Sequence, residues 1–288
     1  MSGIIDGKAL SQELKDGLKI KVADFKKKYG RDIILAVVLV GDDPASRIYV
    51  KNKIKAAEYV GIRSLSFTLP IDASESEVVS LVNTLANDNS VNGILVQLPL
   101  PKGIDERKIL SLIPPYKDVD GFTAENIGNL TLFNDSIVSC TPLGIMYMLK
   151  SIGVPLSGKR AAVLGRSNIV GKPVSLLLLR ENCTVTVCHS KTENLKDILL
   201  SADILVVAIG KAKFVTADMV KEGAIVIDVG INRTKDGLSG DVDFDEVSKK
   251  TSYITPVPGG VGPMTIAMLM SNAYKCATVQ ADLNDKNG

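Results

Sequence analysis

The 288-residue sequence has one histidine, His189, no tryptophan, and only 5% aromatic residues. A single imidazole makes a Ser-His or Cys-His nucleophile system a poor expectation. So few aromatics argue against a stacking platform for nucleic-acid bases. The four cysteines, Cys140, Cys183, Cys188 and Cys276, form no CxxC pair. Cys183 and Cys188 stand five apart in an expected strand, on opposite faces, so neither a zinc site nor a disulfide framework is expected. An excess of one charge is also missing. The 34 basic and 32 acidic residues give +2, too little for a nucleic-acid partner. The longest apolar runs, such as "IILAVVLV" (33–40), fall far short of the roughly 20 residues of a membrane span. "MSGIIDGKALSQELK" has no apolar signal core. A soluble cytoplasmic protein is therefore expected, with no metal, membrane or nucleic-acid partner. Acid–base work falls to lysine, tyrosine and carboxylates.

The chain does have regular alternation. Helix-like segments near 8–29, 74–88 and 142–151 alternate with apolar strands at 33–40, 63–69 and 91–101. "GDDPAS" (41–46) supplies acidic caps and an early Pro44 to a helix running to about 62. The stretch 113–130 reads as loop-rich. A second βαβ pattern starts at 157 and continues through "ADILVVAIG" (202–210) and "GAIVIDVG" (223–230), each an apolar strand ending in glycine. A final helix is expected at about 265–282. The pattern predicts an α/β protein of two domains with mostly parallel strands. The boundary lies near 140: residues 1–140 form the first domain and 141–265 a Rossmann-like second.

"AAVLGRSNIVGKP" (161–173) is a strand, a glycine-rich turn and a helix opened by Pro173. Small residues at Gly165, Ser167 and Gly171 would let the backbone approach a pyrophosphate at a helix N-terminus. The next strand ends in His189, Ser190, Lys191 and Thr192. An NAD site usually ends that strand with a carboxylate for the ribose hydroxyls. A hydroxyl beside basic groups, with Arg166 in the nearby turn, suits a 2′-phosphate instead, so NADP is the expected cofactor. The plain alternatives are a tight turn and solvated loop residues.

In "SRIYVKNKIKAAEYVGI" (46–62), Tyr49, Val50, Ile54, Ala56, Ala57 and Val60 share one apolar face at about 100° per residue. Lys53 falls near the middle of that face, one turn after Tyr49. A lysine placed there is desolvated, which favours its neutral form. Gln97 follows the buried strand "GILV", at the carboxyl end where α/β sheets gather ligands. Asp120 sits in "KDVDG". Each also has a structural alternative: Lys53 snorkelling to water, Gln97 marking an edge, Asp120 serving a turn.

These segments carry a resemblance. "DDPASRIYVKNKIKAAEYVGI", "GILVQLPLP", "KDVDGF", "CTPLGI", "GRSNIVGKP", "GAIVIDVGIN" and "YITPVPGGVGPMT" together resemble the family of bifunctional methylenetetrahydrofolate dehydrogenase/methenyltetrahydrofolate cyclohydrolase enzymes. The resemblance implies Lys53 as the catalytic lysine with Tyr49 and Gln97 beside it, and Asp120 as the anchor of the folate ring. It implies folate contacts from Tyr49, Lys53, Val96, Gln97, Leu98, Asp120, Pro258, Gly259, Gly260, Gly262 and Pro263. It implies NADP contacts from Gly165, Arg166, Ser167, Ser190 and Ile231. It further implies a homodimer, and a C-terminal helix, 266–284, that packs back on the first domain. Apart from the resemblance, the residues alone reach an NADP-linked oxidoreductase with a lysine-centred site. Two readings stay open at that level: another two-domain NADP-dependent dehydrogenase with a Lys/Asp site, or a nucleotide-binding protein without turnover.

Overall fold

A computed structural model describes residues 2–235 and 237–287, with side chains as far as residue 283. The chain begins with β1 (Gly3–Ile4) and α1 (Gly7–Tyr29). The alternation read from the sequence follows: β2 (Ile34–Val40), α2 (Pro44–Val60), β3 (Arg63–Leu69), α3 (Glu75–Asn87) and β4 (Gly93–Val96). The Asp43 side chain accepts from Ser46 N at 2.7 Å and Pro44 opens α2, while Gly61, at φ +86°, ends it. Such an N-cap is worth about 1 kcal/mol. The expected loop at 113–130 is a correction, because it contains α5 (Ala124–Thr131), preceded in the chain by α4 (Glu106–Ser111). Asp118 and Asn126, which accept and donate across the segment, hold this helix in place. Helix α6 (Cys140–Ser151) then leads to β5 (Arg160–Leu164), α7 (Gly171–Arg180), β6 (Thr184–Cys188), α8 (Leu195–Leu200), β7 (Ile204–Val207) and β8 (Ile225–Asp228). The chain closes with β9 (Asn232–Thr234), β10 (Gly237–Ser239), α9 (Phe244–Val247), β11 (Tyr253–Ile254) and α10 (Val261–Asn287). Helix α10 starts four residues before the expected 265, so Gly262 and Pro263 lie in its first turn, where a proline costs no hydrogen bond.

The chain divides into two compact units. One comprises Gln12–Cys140 together with the chain from Ile266. Its parallel sheet has the order β3-β2-β4. Ala36, Val38, Val40, Ile94 and Val96 pack there against Val78, Val82, Leu85 and Ile109 of α3 and α4. Strands β2 and β4 are buried almost throughout, as expected of strands covered on both faces. From α10, Asn272 Nδ2 donates to Val119 O and Val138 O, both at 2.8 Å, so the final helix belongs to this unit's core.

The other unit comprises the residues up to Ser11 with Thr141–Thr265. Its parallel six-stranded sheet has the order β1-β11-β8-β7-β5-β6. Residues 3–4 therefore belong here rather than with the first 140 residues, because β1 pairs with β11 (Gly3↔Tyr253, Ile4↔Ile254). The core packs Ala162, Leu164, Leu205, Val207 and Val226 against Leu199, Val215, Val220, Val242 and Val247.

Candidate active site

In the Gln12–Cys140 unit, β2 ends at Val40 and α2 starts at Pro44, so the first turns of α2 lie at the carboxyl end of the sheet. By helical position Lys53 falls in the same arc as the buried Ser46, Val50, Ala57 and Val60. It is half-buried rather than enclosed, and its Nζ donates to Gln97 Oε1 at 3.0 Å. Tyr49 departs from the expected apolar face. It is 42% exposed, although Ser46 and Val50 on either side of it in the same helix end are buried. Among the described residues its hydroxyl makes no hydrogen bond. Ile54 is half-buried.

Gln97 is buried and fixed at both ends of its amide. Its Nε2 donates to Leu98 O at 2.6 Å, which leaves Oε1 to receive Lys53. Leu98 is half-buried and precedes a cis proline, Pro99. Val96 is 2% exposed and packed in the core, so its side chain is not available to a ligand.

Asp120 is half-buried. Burial pushes its carboxyl up to about 6, with the Asp118 charge adding to the rise and the Lys53 charge opposing it. Cys140 Sγ donates to Asp120 Oδ1 at 3.8 Å, and the other oxygen, Oδ2, has no hydrogen bond among the described residues. The loop around it is over-determined. Asp118 accepts from Gly121 N (2.9 Å), Thr123 N (2.8 Å) and Asn126 Nδ2 (3.1 Å). Lys117, buried, donates to the carbonyls of Leu85, Ala86 and Asp88 at the end of α3. Gly121 has φ +67°, and a Cβ there would lie 2.6 Å from Ile137 O. Sequence reasoning found Asp120 but missed its supports, Asp118, Cys140 and Asn272. A polar asparagine amid the apolar residues of α10 was the available signal.

In the other unit, the glycine-rich turn joins β5 to α7. Gly165 has φ +127°, and a Cβ there would stand 2.3 Å from Ala208 O. A Cβ on Gly171 would stand 2.2 Å from Gly165 O. Both glycines are thus required by contacts within the fold, which bring the start of α7 against the end of β5. Ser167 Oγ accepts from Val170 N and Gly171 N at 3.2 and 3.3 Å. Arg166, Ser167 and Ser190 are exposed. His189 and Thr192 close the turn after β6, with Thr192 Oγ1 accepting from His189 N at 2.8 Å and His189 Nδ1 accepting from Lys191 N at 3.2 Å. This set of hydroxyls and bases, with no carboxylate at the end of β6, fits a dinucleotide carrying a 2′-phosphate.

Ile231 follows β8 and is 46% exposed. A Cβ on Gly262 would lie 3.7 Å from its Cδ1, so these two expected positions are neighbours. The Val257–Pro258 bond is cis. Gly259 O accepts from Lys8 N at 2.9 Å, and Gly260 O lies where a Cβ on Gly7 would collide at 1.9 Å. Pro258 is exposed, Gly259, Gly262 and Pro263 half-buried, and Gly260 buried.

Two family models match successive parts of the chain. A family model described as tetrahydrofolate dehydrogenase/cyclohydrolase, catalytic domain, matches residues 5–120. One described as tetrahydrofolate dehydrogenase/cyclohydrolase, NAD(P)-binding domain, matches 139–281. The chain is 58% identical over 276 residues to the bifunctional protein FolD of Agathobacter rectalis, covering 96% of this chain and 99% of the relative. The crystal structure of the FolD dehydrogenase/cyclohydrolase from Campylobacter jejuni superposes with a TM-score of 0.95 at 52% identity, over 97% of this chain and 99% of that one. The Trypanosoma brucei dehydrogenase-cyclohydrolase, complexed with NADP cofactor and inhibitor, gives 0.93 at 39% identity, over 97% and 98%.

Proposed function

The chain belongs to the tetrahydrofolate dehydrogenase/cyclohydrolase family, and on that premise we propose how its side chains divide two reactions. The enzyme oxidises 5,10-methylenetetrahydrofolate to the 5,10-methenyl cation with NADP⁺, then hydrolyses the cation to 10-formyltetrahydrofolate.

In this reading Asp120 anchors the folate ring. A pterin presents adjacent N–H donors that one carboxylate accepts as a pair, and Asp120 has an oxygen free to do so. Lys53 moves protons in the hydrolytic step. It accepts a proton from water as the oxygen bonds to the methenyl carbon, and returns one to the ring nitrogen as the carbon–nitrogen bond breaks. Gln97, whose amide orientation is fixed by Leu98 O, fixes the direction of one Lys53 N–H. Tyr49, exposed one turn away, flanks the substrate. NADP⁺, when bound, accepts the hydride. Gly165, Arg166, Ser167, Ser190 and Ile231 would hold it, with Arg166 and Ser190 at the 2′-phosphate. The family resemblance extends the reading to a homodimer working in the cytoplasm. Among the described residues no helix is long and apolar enough to cross a membrane.

The observation that carries the assignment is the Lys53–Gln97 hydrogen bond at the carboxyl edge of the parallel sheet. Mixing protein with methylenetetrahydrofolate and NADP⁺, and following NADPH, methenyl and formyl species together, tests it. The parent should form NADPH and formyl product with little methenyl. Lys53→Met should form NADPH while methenyl accumulates, with hydrolysis down by about 10²–10⁴-fold, the usual contribution of a general acid–base group. Hydrolysis at the parental rate in Lys53→Met would remove the lysine from the mechanism.

A further inference from the structure

Among the described residues, the second unit buries two carboxylates that the reaction does not use. Asp228 ends β8 and Asp241 lies on the segment after β10; they are 2% and 0% exposed. Isolated buried charges are costly, and here each is surrounded by donors. Asp241 Oδ2 accepts from Ile209 N (2.7 Å) and Gly210 N (2.9 Å), and its Oδ1 from Lys211 N (2.8 Å) and Asn232 Nδ2 (2.9 Å). Asp228 Oδ1 accepts from Gly230 N and Asp241 N, and its Oδ2 from Val242 N, all at 2.9 Å. The fit allows no side chain nearby. A Cβ on Gly230 would stand 2.3 Å from Asp241 Cγ, and one on Gly240 would stand 1.9 Å from Asp228 Oδ2.

The four donors to Asp241 come from two places. Ile209–Lys211 follow β7 and Asn232 follows β8, and these adjacent strands pair through Ile204–Val207 and Ile225–Asp228. Both loops lie at strand carboxyl ends, where a nucleotide gathers in a sheet of this type. Ile231 sits between Gly230, held by Asp228, and Asn232, held by Asp241, while its own side chain stays 46% exposed.

We propose that Asp241 is a positioning residue for the cofactor. Its carboxylate ties the Ile209–Lys211 loop to Asn232, and so fixes the exposed Ile231 for contact with NADP. The proposal rests on the reading of Ile231 as an NADP contact. The strands have their own ladder, so losing one tie leaves the sheet paired and frees only the loops.

Asn232→Ala removes one donor to Asp241 and keeps the Ile231 backbone. NADP⁺ binding measured by calorimetry without folate should weaken about tenfold, the scale of one lost hydrogen bond to a charged group. The dehydrogenase KM for NADP⁺ should rise in parallel, with kcat within about twofold. Hydrolysis of methenyltetrahydrofolate without NADP⁺ should match the parent, while the unfolding midpoint falls modestly because a buried carboxylate has lost one donor. Asp241→Asn should go further, weakening NADP⁺ binding and speeding amide exchange at Ile209, Gly210 and Lys211. If it does not fold, Asn232→Ala decides alone. Parental NADP⁺ binding in Asn232→Ala overturns the proposal, as does faster loop exchange in Asp241→Asn without weaker binding. Ile231→Ala runs beside them. If it binds NADP⁺ as the parent does while Asn232→Ala does not, the Ile231 contact fails and the anchoring of Ile209–Lys211 stands.

Discussion

Asp120 in one unit and Asp228 in the other are both pushed up to about 6, each chiefly by burial. By that measure they are alike. They differ in what their oxygens do. Asp228 accepts three backbone N–H groups and has both oxygens engaged. Asp120 receives one weak thiol contact and leaves an oxygen open. A perturbed carboxyl therefore marks burial, and it is the unfilled acceptor of Asp120 that supports the ligand-holding role proposed for it.

The sharpest way to break this comparison is the same change at both positions. Asp120→Asn should lower both folate activities by about 10²-fold or more, since it loses a charge-assisted pair of bonds, while leaving the unfolding midpoint at or above the parent's. Asp228→Asn should instead lower the midpoint, because an amide nitrogen then faces backbone donors. A destabilised Asp120→Asn with intact turnover would erase the distinction.

A second test uses pH. In the proposed reading folate binding needs the Asp120 carboxylate, so the KM for methylenetetrahydrofolate should rise about tenfold per pH unit well below 6. Stability has the opposite sign. A carboxyl raised to about 6 in the folded state from 3.8 favours folding fully below the lower value, and that contribution is lost as pH rises through about 6. Asp228→Asn should therefore flatten the pH dependence of stability between about 4 and 6, measured by denaturant titration. Smaller still, Gln97→Leu should slow hydrolysis about tenfold by leaving Lys53 undirected, with NADP⁺ affinity unchanged. Least of all, Ser190→Ala should raise the KM for NADP⁺ a few-fold, the scale of one neutral hydrogen bond, without altering hydrolysis.

Much of this molecule is legible in its sequence where local rules suffice. "IILAVVLV" reads as a strand because β2 is buried on both faces, and Asp43-Pro44 reads as a helix start because capping is local. Lys53 is visible from helical angle alone. The exposure of Tyr49 is not, because it depends on what the rest of the unit packs against that face. The segment 113–130 reads as loop because its prolines and glycines conceal a helix held by Asp118 and Asn126, which is a nonlocal device. Asp241 escapes notice for a similar reason, since three of its four donors are main-chain amides that no motif records.

The pairing of β1 with β11 matters for synthesis as well as for the finished sheet. Gly3 and its partner Tyr253 are separated by 250 positions, and chains are made at about 5–20 residues per second. The first strand thus waits roughly 10–50 s, on that rate, for its neighbour to exist. Its two residues cannot nucleate anything. Their pairing therefore waits on a distant part of the chain, a nonlocal closure of the sheet edge.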